Sequence, residues 1–417
     1  MTATPNPRLP DGIDIFSPAA YGDEARLHAD FTRLRRDMPV AWVDREPYRP
    51  FWTVVCNEDI KLVEKNHDIF VSAPRLTLIP KAIEEATLQM FGSRTGGSRT
   101  ILDMDEPDHA KYRDVSARWF IGSGLRKLTP RIEAIADSFI EKMKSMDGRC
   151  DFASDIAVWY PLEAITSILG APSEDGPYIL RMTQALLAAG DPDLQKEGDY
   201  GMAAYGEFMG YLGKLLADRQ ANPTDDLTSA IANARIDDNP IGMIEALSYM
   251  MVTITAGHDT TSAALAGGMY GFITHPQEMD KLRADPQLMR NASNEICRWV
   301  SPVRHFVRTA TEDFVLRDTT IRAGDAVVLF YPSGNRDETL FENADAFRID
   351  RDTSGHVAFG YGVHACVGRQ LALFELDAFF SRLIPQLKRI ELAGEPKMIA
   401  SNLVGGFRSL PVRYEFN

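Results

Sequence analysis

Apolar residues recur at helical spacing over most of the chain between Pro107 and about Ile273. The longest such segment, about Ile241–Ile273, is apolar nearly all round between Met250 and Leu265, which predicts a long helix running through the core. Strands are predicted at a hairpin, Val40–Asp44 with Phe51–Val55, and at Phe314–Leu316, Val327–Phe330, Lys388–Leu392 and Pro411–Phe416. No βαβ alternation is seen, so the pattern favours a mainly α fold with small peripheral β-sheets.

The N-terminal segment, residues 1–20, is rich in proline, and the first predicted helix, about Gly22–Asp37, follows it. We expect residues 21–417 to form a single domain. Within it, Phe70–Gly97 predicts a long loop that carries one short helix, Lys81–Gln89. Loops of this length usually have a functional role.

The composition is that of an ordinary soluble protein, with 45% hydrophobic and 25% charged residues among 417. The formal net charge of −14 disfavours nucleic-acid binding. No signal peptide and no apolar stretch of bilayer-spanning length is apparent, so we expect a cytoplasmic protein without a membrane anchor. Four cysteines without a C-x-x-C pair disfavour a zinc ribbon or an iron–sulfur site and indicate a reducing compartment.

Cys366 lies among three glycines in the segment Phe359-Gly-Tyr-Gly-Val-His-Ala-Cys-Val-Gly368, directly before a predicted helix, Gln370–Leu383. A helix N-terminus and its N–H groups favour a thiolate, which needs a positive partner such as haem iron. The alternative is a buried structural cysteine in a glycine-rich turn. The whole pattern resembles the haem-binding loop of the cytochromes P450, the haem-thiolate monooxygenases. The resemblance implies that Cys366 binds the iron of haem b (iron protoporphyrin IX), that His364 meets a propionate, and that Phe359, Gly360 and Gly368 contact the cofactor.

The long predicted helix contains a polar insert, Thr255-Ala-Gly-His-Asp-Thr-Thr-Ser262, which is costly in a core unless its groups are satisfied or used. Thr260 follows Ala256 by four residues, so its hydroxyl can bond that carbonyl. A packing cluster between helices is the alternative. The string A-G-x-D-T-T is similar to the oxygen-activation motif of the same family. It implies that Asp259 and Thr260 deliver protons to bound dioxygen, that Ala256 and Gly257 make room for it, that Thr261 is a second candidate hydroxyl, and that His258 is structural.

Two further groups of residues share helix faces. Glu295 and Arg298 are three residues apart and can pair, although most such pairs are solvated. In the resembled family this pair is buried and joins a later arginine, here Arg351, to brace the cysteine loop. His109 and Arg113 stand at i and i+4 on a helix opened by Glu106-Pro107. With Arg308 and His364, they are implied to hold the two haem propionates.

These motifs occur in family order, and the resemblance covers the chain from about residue 30 onward. It implies a single-domain cytochrome P450 fold with the long helix over the haem, of the bacterial ferredoxin-dependent class and nearest its terpineol-hydroxylating branch. The implied partners are O2, a [2Fe-2S] ferredoxin with its NAD(P)H-dependent reductase, and a small hydrophobic substrate: a monoterpenoid, an alkylbenzene or a small aromatic hydrocarbon. Expected substrate contacts are Val252, Thr255, Ala256, Val303, Phe306, Leu403 and Val404. Candidate ferredoxin contacts are Lys111, Arg118 and Arg369, followed by Arg126 and Lys127.

Three other functions are compatible with parts of the pattern. A peroxide-driven haem-thiolate enzyme would be expected to alter the Asp259–Thr260 pair, which is intact. A non-catalytic haem sensor or binding protein would not need that pair at all. A metal-dependent hydrolase using His258 and Asp259 lacks a third ligand at helical spacing.

Overall fold

The computed structural model describes residues 7–94, 97–187 and 200–417, and helices make up most of its regular structure. In chain order the helices are α1 (Glu24–Asp37), α2 (Asn57–Lys65), α3 (Lys81–Phe91), α4 (Asp108–Phe120), α5 (Gly122–Lys144), α6 (Trp159–Leu169), α7 (Gly176–Leu187), α8 (Tyr200–Ala221), α9 (Leu227–Ala232), α10 (Met243–Thr274), α11 (Pro276–Ala284), α12 (Met289–Val300), α13 (Tyr331–Gly334) and α14 (Arg369–Leu383). The strands are β1 (Val40–Val43), β2 (Phe51–Val54), β3 (Phe70–Val71), β4 (Arg149–Asp151), β5 (Arg235–Ile236), β6 (Asn239–Pro240), β7 (His305–Ala310), β8 (Phe314–Leu316), β9 (Thr319–Ile321), β10 (Ala326–Phe330), β11 (Leu387–Leu392), β12 (Lys397–Met398), β13 (Phe407–Ser409) and β14 (Pro411–Phe416).

The long helix predicted from the apolar pattern is α10, 32 residues in length. Glycines allow it to pack closely on α12. A Cβ built on Gly267 would lie 2.4 Å from Val300 Cγ2, and one on Gly268 would lie 2.8 Å from Ile296 Cδ1. Because neither position has space for a side chain, α10 and α12 approach more closely than ordinary residues would allow.

The largest sheet has five strands in the order β1-β2-β10-β7-β3. Strand β10 pairs in parallel with β2 and antiparallel with β7, with Val327 opposite Arg308. The hairpin β1–β2 confirms the prediction from the sequence. Strand β7 lay outside the predicted elements, because its buried His305 and Arg308 interrupt any apolar alternation. This strand carries one of the candidate site residues.

The segment predicted as a long loop, Phe70–Gly97, begins with β3 and contains α3, and residues 95–96 of it lie outside the described part. Apolar residues of the N-terminal segment are buried in the same core cluster as α1 and the β1–β2 hairpin; they are Leu9, Ile13, Ile15 and Phe16. In the described ranges, we find no helix long and apolar enough to cross a membrane.

Candidate active site

The cysteine loop runs from Phe359 to the start of α14 and is held by its own backbone. Cys366 N–H donates to Phe359 O at 2.8 Å, and Ala365 N–H donates to Gly362 O at 3.2 Å. Gly360 and Gly362 have φ values of +66° and +68°, which only glycine adopts without strain. The loop therefore turns tightly, and it leaves the Cys366 side chain exposed along the wall of an internal cavity.

Opposing influences act on the Cys366 sulfur. Burial deep in the molecule raises the pKa of the thiol, whereas the backbone N–H of Gly368 and the nearby Arg113 and Arg369 lower it. The sequence argument anticipated the second influence and omitted the first. The net shift of the pKa is upward, so the protein alone does not favour a thiolate here. A cation bonded to the sulfur would supply the positive charge that stabilises the thiolate.

A group of side chains suited to carboxylates lies at one side of the cavity. The rings of His109 and His364 have centroids 4.1 Å apart, and His364 Nε2 is 3.2 Å from Ser72 Oγ. Arg113 Nη2 donates to the carbonyl of Ala365 at 2.5 Å, which ties α4 to the cysteine loop. Burial, reinforced by neighbouring cations, lowers the pKa of His364 to about 3, and burial also lowers the pKa of His109. Both imidazoles are therefore neutral donors at pH 7, and the positive charge of this group comes from arginine.

Arg308, the other arginine predicted to bind a propionate, is 3% exposed and points from β7 toward the same cavity wall. Its Nη1 donates to Val307 O at 3.0 Å, and its Nη2 lies 3.5 Å from Glu64 Oε1. The Tyr331 hydroxyl donates to the same Glu64 oxygen at 2.8 Å. The sequence analysis identified neither Glu64 nor Tyr331, because a single glutamate and a single tyrosine carry no motif.

The polar insert of α10 crosses the cavity opposite Cys366. Thr260 Oγ1 donates to Ala256 O at 2.9 Å, as the spacing predicted, and Thr261 Oγ1 donates to Gly257 O at 3.3 Å. Thr260 lines the cavity. A Cβ built on Gly257 would lie 2.8 Å from Ile165 Cγ1, so the missing side chain at this position makes room for α6.

Asp259 faces a histidine instead of Thr260. Its Oδ1 lies 3.0 Å from His258 Nε2, and its Oδ2 is buried without a hydrogen-bond partner. His258 Nδ1 is 2.8 Å from Ile254 O, so this nitrogen carries a proton, and Nε2 is also 3.2 Å from Thr183 Oγ1 on α7. Burial lowers the pKa of His258, but the Asp259 carboxylate raises it by more, and the net shift is upward. His258 is thus the direct partner of the candidate acid.

The predicted brace assembles around Glu295. Arg298 bonds both of its carboxylate oxygens, at 2.6 and 2.8 Å, and both side chains are fully buried. Arg351 Nε lies 3.2 Å from Glu295 Oε1. Arg298 Nη1 also donates to the carbonyl of Asn335, whose side-chain oxygen accepts from Val357 N–H just before the cysteine loop. This network connects α12 to the cysteine loop through Asn335.

The cavity between α10 and the cysteine loop encloses about 1490 Å³ of atom-free space, part of it open to solvent. Of the predicted substrate contacts, Val252, Ala256, Val303 and Phe306 line it, whereas Thr255, Leu403 and Val404 do not. The resemblance also implies that the Phe70–Gly97 segment contributes to the pocket, and Leu76 of that segment lines the cavity. Lining residues that were not predicted are Ile101, Leu102, Phe120 and Ile165. The resemblance further implies a contribution to the pocket from Tyr178–Leu194, and the structure describes this segment only up to Leu187.

Thr255 and Val404 occupy other places for identifiable reasons. Thr255 is one residue before Ala256, about 100° round the helix, and its hydroxyl bonds Met251 O at 3.0 Å. Val404 forms an isolated antiparallel bridge with Val303, and Leu403 O accepts from Arg304 N–H at 2.9 Å. The chain near Leu403 therefore supports the wall formed by Val303 from behind.

These residues fit an iron porphyrin with two carboxylates. The cavity presents an accessible sulfur on a loop with room for a flat group, and two arginines with N–H donors to spare lie at one side. Two buried glutamate oxygens along the lining, Glu64 Oε2 and Glu375 Oε2, have no hydrogen-bond partner in the protein. Across the described ranges, no three His, Cys, Asp or Glu side chains form a group that could hold a metal ion by themselves. His258 and Asp259 thus have no third ligand among those residues.

Comparison with known proteins gives consistent results. The family model for Cytochrome P450 matches residues 203–416. The chain is 34% identical to Cytochrome P450-terp of a Pseudomonas species over 96% of both chains, and 31% identical to Linalool 8-monooxygenase of Pseudomonas putida over 96% of this chain and 98% of the relative. The crystal structure of CYP108D1 from Novosphingobium aromaticivorans superposes with a TM-score of 0.91 at 34% identity, covering 99% of this chain and 100% of that one.

Proposed function

The chain belongs to the cytochrome P450 family of haem b monooxygenases, and we propose that it hydroxylates a small hydrophobic substrate of the monoterpenoid, alkylbenzene or small aromatic hydrocarbon class. The observation that carries this proposal is the cavity between α10 and Cys366, whose lining is mostly apolar and includes the hydroxyl of Thr260. One relative is named for linalool, a monoterpenoid, which supports the same substrate class.

When bound, haem b supplies the iron centre at which O2 is activated. In our proposal the Cys366 sulfur coordinates the iron, and the N–H groups of Gly368 and Arg369 stabilise its negative charge. Arg113, Arg308 and the neutral His109 and His364 bind the carboxylates. Their burial keeps water away from these contacts, so each charge-assisted bond is stronger than it would be at the surface.

Proton delivery is assigned to the α10 insert. Thr260 Oγ1 faces the cavity and already donates its own proton to Ala256 O, so it accepts a proton through a free lone pair and passes one on by rotation. Asp259 is the nearest carboxylate in sequence, and it turns from His258 toward Thr260 to complete the relay. His258, whose Nε2 lies 3.0 Å from Asp259 Oδ1, restores the proton that Asp259 gives up when its imidazole is protonated at Nε2.

The substrate lies against the apolar part of the cavity in this proposal. Val252 and Ala256 on α10 form one side, and Val303 and Phe306 form another. Such a lining favours a compact hydrocarbon skeleton and offers few polar groups to orient a charged ligand. Hydroxylation at one carbon then depends on shape, since a hydrophobic wall discriminates mainly by fit.

Electrons come from a redox partner, which we propose is a [2Fe-2S] ferredoxin with an NAD(P)H-dependent reductase. Of the predicted contacts, Lys111, Arg118 and Lys127 are each close to a carboxylate of the same chain, whereas Arg126 is exposed and Arg369 lies over the Phe359 ring. Intramolecular pairing reduces the positive potential of the first three, so Arg126 and Arg369 become the leading candidates. We place the system in the cytoplasm, since all four cysteines are unpaired.

A ligand screen followed by turnover tests the proposal. Purified holoenzyme is titrated with monoterpenoids, alkylbenzenes, small aromatic hydrocarbons and, for comparison, long-chain fatty acids and steroids. We expect displacement of iron-bound water, seen as a Soret shift, with the first three classes only. Those ligands are then turned over with a surrogate ferredoxin and reductase, and hydroxylated product should match NADH consumed. A tight response confined to fatty acids or steroids would refute the substrate class, and binding without product would favour a sensor.

A further inference from the structure

Glu64 places a carboxyl group in the cavity wall next to a predicted propionate ligand, Arg308. Its side chain is 2% exposed, and it lines the cavity from α2. The cysteine loop packs against it, and a Cβ on Gly360 would lie 3.4 Å from Glu64 Oε1, in van der Waals contact. The glutamate is thus confined between α2, β7, α13 and the cysteine loop.

Only one of the two Glu64 oxygens is satisfied by the protein. Oε1 accepts from the Tyr331 hydroxyl at 2.8 Å and lies 3.5 Å from Arg308 Nη2, whereas Oε2 is buried with no partner. An unpartnered buried carboxylate oxygen costs free energy, and protonation of that oxygen removes the charge and creates a donor. Burial raises the pKa of Glu64 to about 7, although Arg308 and Tyr331 oppose the rise.

A haem propionate bound to Arg308 would bring a second carboxylate to the same guanidinium. Two carboxylates that share one cation cannot both stay ionised without penalty, and the less solvated one retains a proton. Added negative charge on the cofactor acts in the same direction. The propionate favours the protonated form of Glu64 in both oxidation states, and the negative charge added on reduction favours it further in the reduced holoenzyme.

We propose that Glu64 is the proton-accepting group coupled to reduction of this enzyme. Glu64 Oε2 takes up one proton from solvent when one electron from the redox partner enters the cofactor site, and Glu64 returns the proton on oxidation. Charge in the buried site thereby stays constant. This inference rests on the haem cofactor and on Arg308, and it is independent of the substrate proposed above.

Other titratable or charged groups line the same cavity: Arg113 and His109 on α4, His364 in the cysteine loop, Tyr331 on α13, Arg308 on β7 and Glu375 on α14. The pKa of His364 is lowered to about 3, so this imidazole does not titrate near neutrality, and the pKa of Tyr331 lies well above 10. Burial raises the pKa of Glu375 well above its ordinary value, and Glu375 Oε2 is also unpartnered. Glu375 is therefore the matched control.

Spectroelectrochemical titration of the purified holoenzyme between pH 6 and 9 tests the proposal. An ionised Glu64 lowers the midpoint potential, so the wild-type potential should fall as pH rises, by at most about 59 mV for each tenfold change in proton concentration. The midpoint potential of Glu64→Gln should equal that of the wild type at low pH, exceed it at high pH, and not change with pH. Tyr331→Phe removes a hydrogen bond that lowers the Glu64 pKa, so its slope should move to higher pH.

A redox-induced infrared difference spectrum gives a second readout. A protonated-carboxyl band should appear on reduction of the wild type and be absent in Glu64→Gln, while Glu375→Gln keeps both the band and the slope. Glu64→Asp retains a carboxyl and should retain a slope. The absorbance difference spectrum of the reduced protein with carbon monoxide verifies that each variant keeps the thiolate ligand. Each of three results would overturn the proposal. The wild-type midpoint potential could be independent of pH, its pH dependence could survive in Glu64→Gln, or that dependence could be lost only in Glu375→Gln.

Discussion

Replacing Gly257 by alanine distinguishes two reasons for a glycine at this point of α10. The sequence motif implies that the glycine makes room for a ligand, whereas the structure shows its missing Cβ directed at α6. A Cβ there would lie 2.8 Å from Ile165 Cγ1, 3.0 Å from Cδ1 and 3.4 Å from Cβ. Ile165 is 1% exposed and belongs to the main core cluster, so the one side toward which it can move is the cavity that it lines.

The expected magnitude combines two opposing contributions. Overpacking against a buried side chain costs about 1–3 kcal/mol. Alanine is a better helix former than glycine by about 1 kcal/mol. Gly257→Ala should therefore destabilise the protein by about 0–2 kcal/mol. In an Ile165→Ala background, itself about 2–5 kcal/mol less stable, the nearest atom is the Cβ at 3.4 Å, and the same substitution should stabilise by up to about 1 kcal/mol.

A double-mutant cycle measures this reversal of sign. Urea unfolding of the wild type, the two single variants and the double variant is followed by circular dichroism, with Soret absorbance as a second probe. We expect a coupling energy of about 1–3 kcal/mol between Gly257 and Ile165. If Gly257→Ala has the same effect in both backgrounds, and weakens carbon monoxide binding equally in both, then α6 packing is not the reason for the glycine.

Three further substitutions, together with Thr261→Ala as a control, test the candidate site. Thr260→Ala should lower the rate of product formation by about 100-fold, the low end for a lost proton-transfer group, while NADH oxidation continues and peroxide accumulates; Thr261→Ala should keep most of the product yield. The pKa of His258 is shifted upward, so its ion pair with Asp259 stabilises the folded protein fully below about pH 6.5 and less as pH rises through the folded-state pKa. The difference in urea midpoint between the wild type and His258→Gln should therefore shrink from pH 6 to pH 9. Glu295→Gln leaves two buried arginines without their counter-charge and should cost about 3–5 kcal/mol, measured as a lower unfolding midpoint with early loss of haem; an unchanged midpoint would contradict the brace.

Much of this arrangement could be predicted from the sequence because the groups concerned carry local signals. Helix α10 is apolar nearly all round between Met250 and Leu265, and the Cys366 loop combines glycines, a cysteine and a following helix within a few residues. Thr260 and Ala256 are four residues apart, and their hydrogen bond follows from helical geometry. Where both partners of a contact belong to one helix or loop, their spacing in the sequence is sufficient to predict the contact.

Contacts between distant elements could not be predicted in this way. Glu64 occupies an amphipathic helix, α2, where a lone glutamate suggests a solvated surface, yet Tyr331 and Arg308 meet it from far along the chain. Strand β7 was missed because its buried Arg308 breaks the alternation that marks a strand. His258 was expected to be structural, and only the packing of α7 and α10 shows that it contacts both Asp259 and Thr183.

The lining of the cavity is built from two kinds of backbone. Arg308 and Tyr331 are fixed by β7 and by the end of β10, whose pairing register determines where they stand. Leu76, Ile101 and Leu102, by contrast, come from irregular segments between regular elements. Substitutions or length changes in those segments can change the shape of the substrate cavity while the haem-binding residues are retained. We expect new catalytic repertoires of this scaffold, whether selected in nature or in the laboratory, to arise mainly by variation in those irregular stretches.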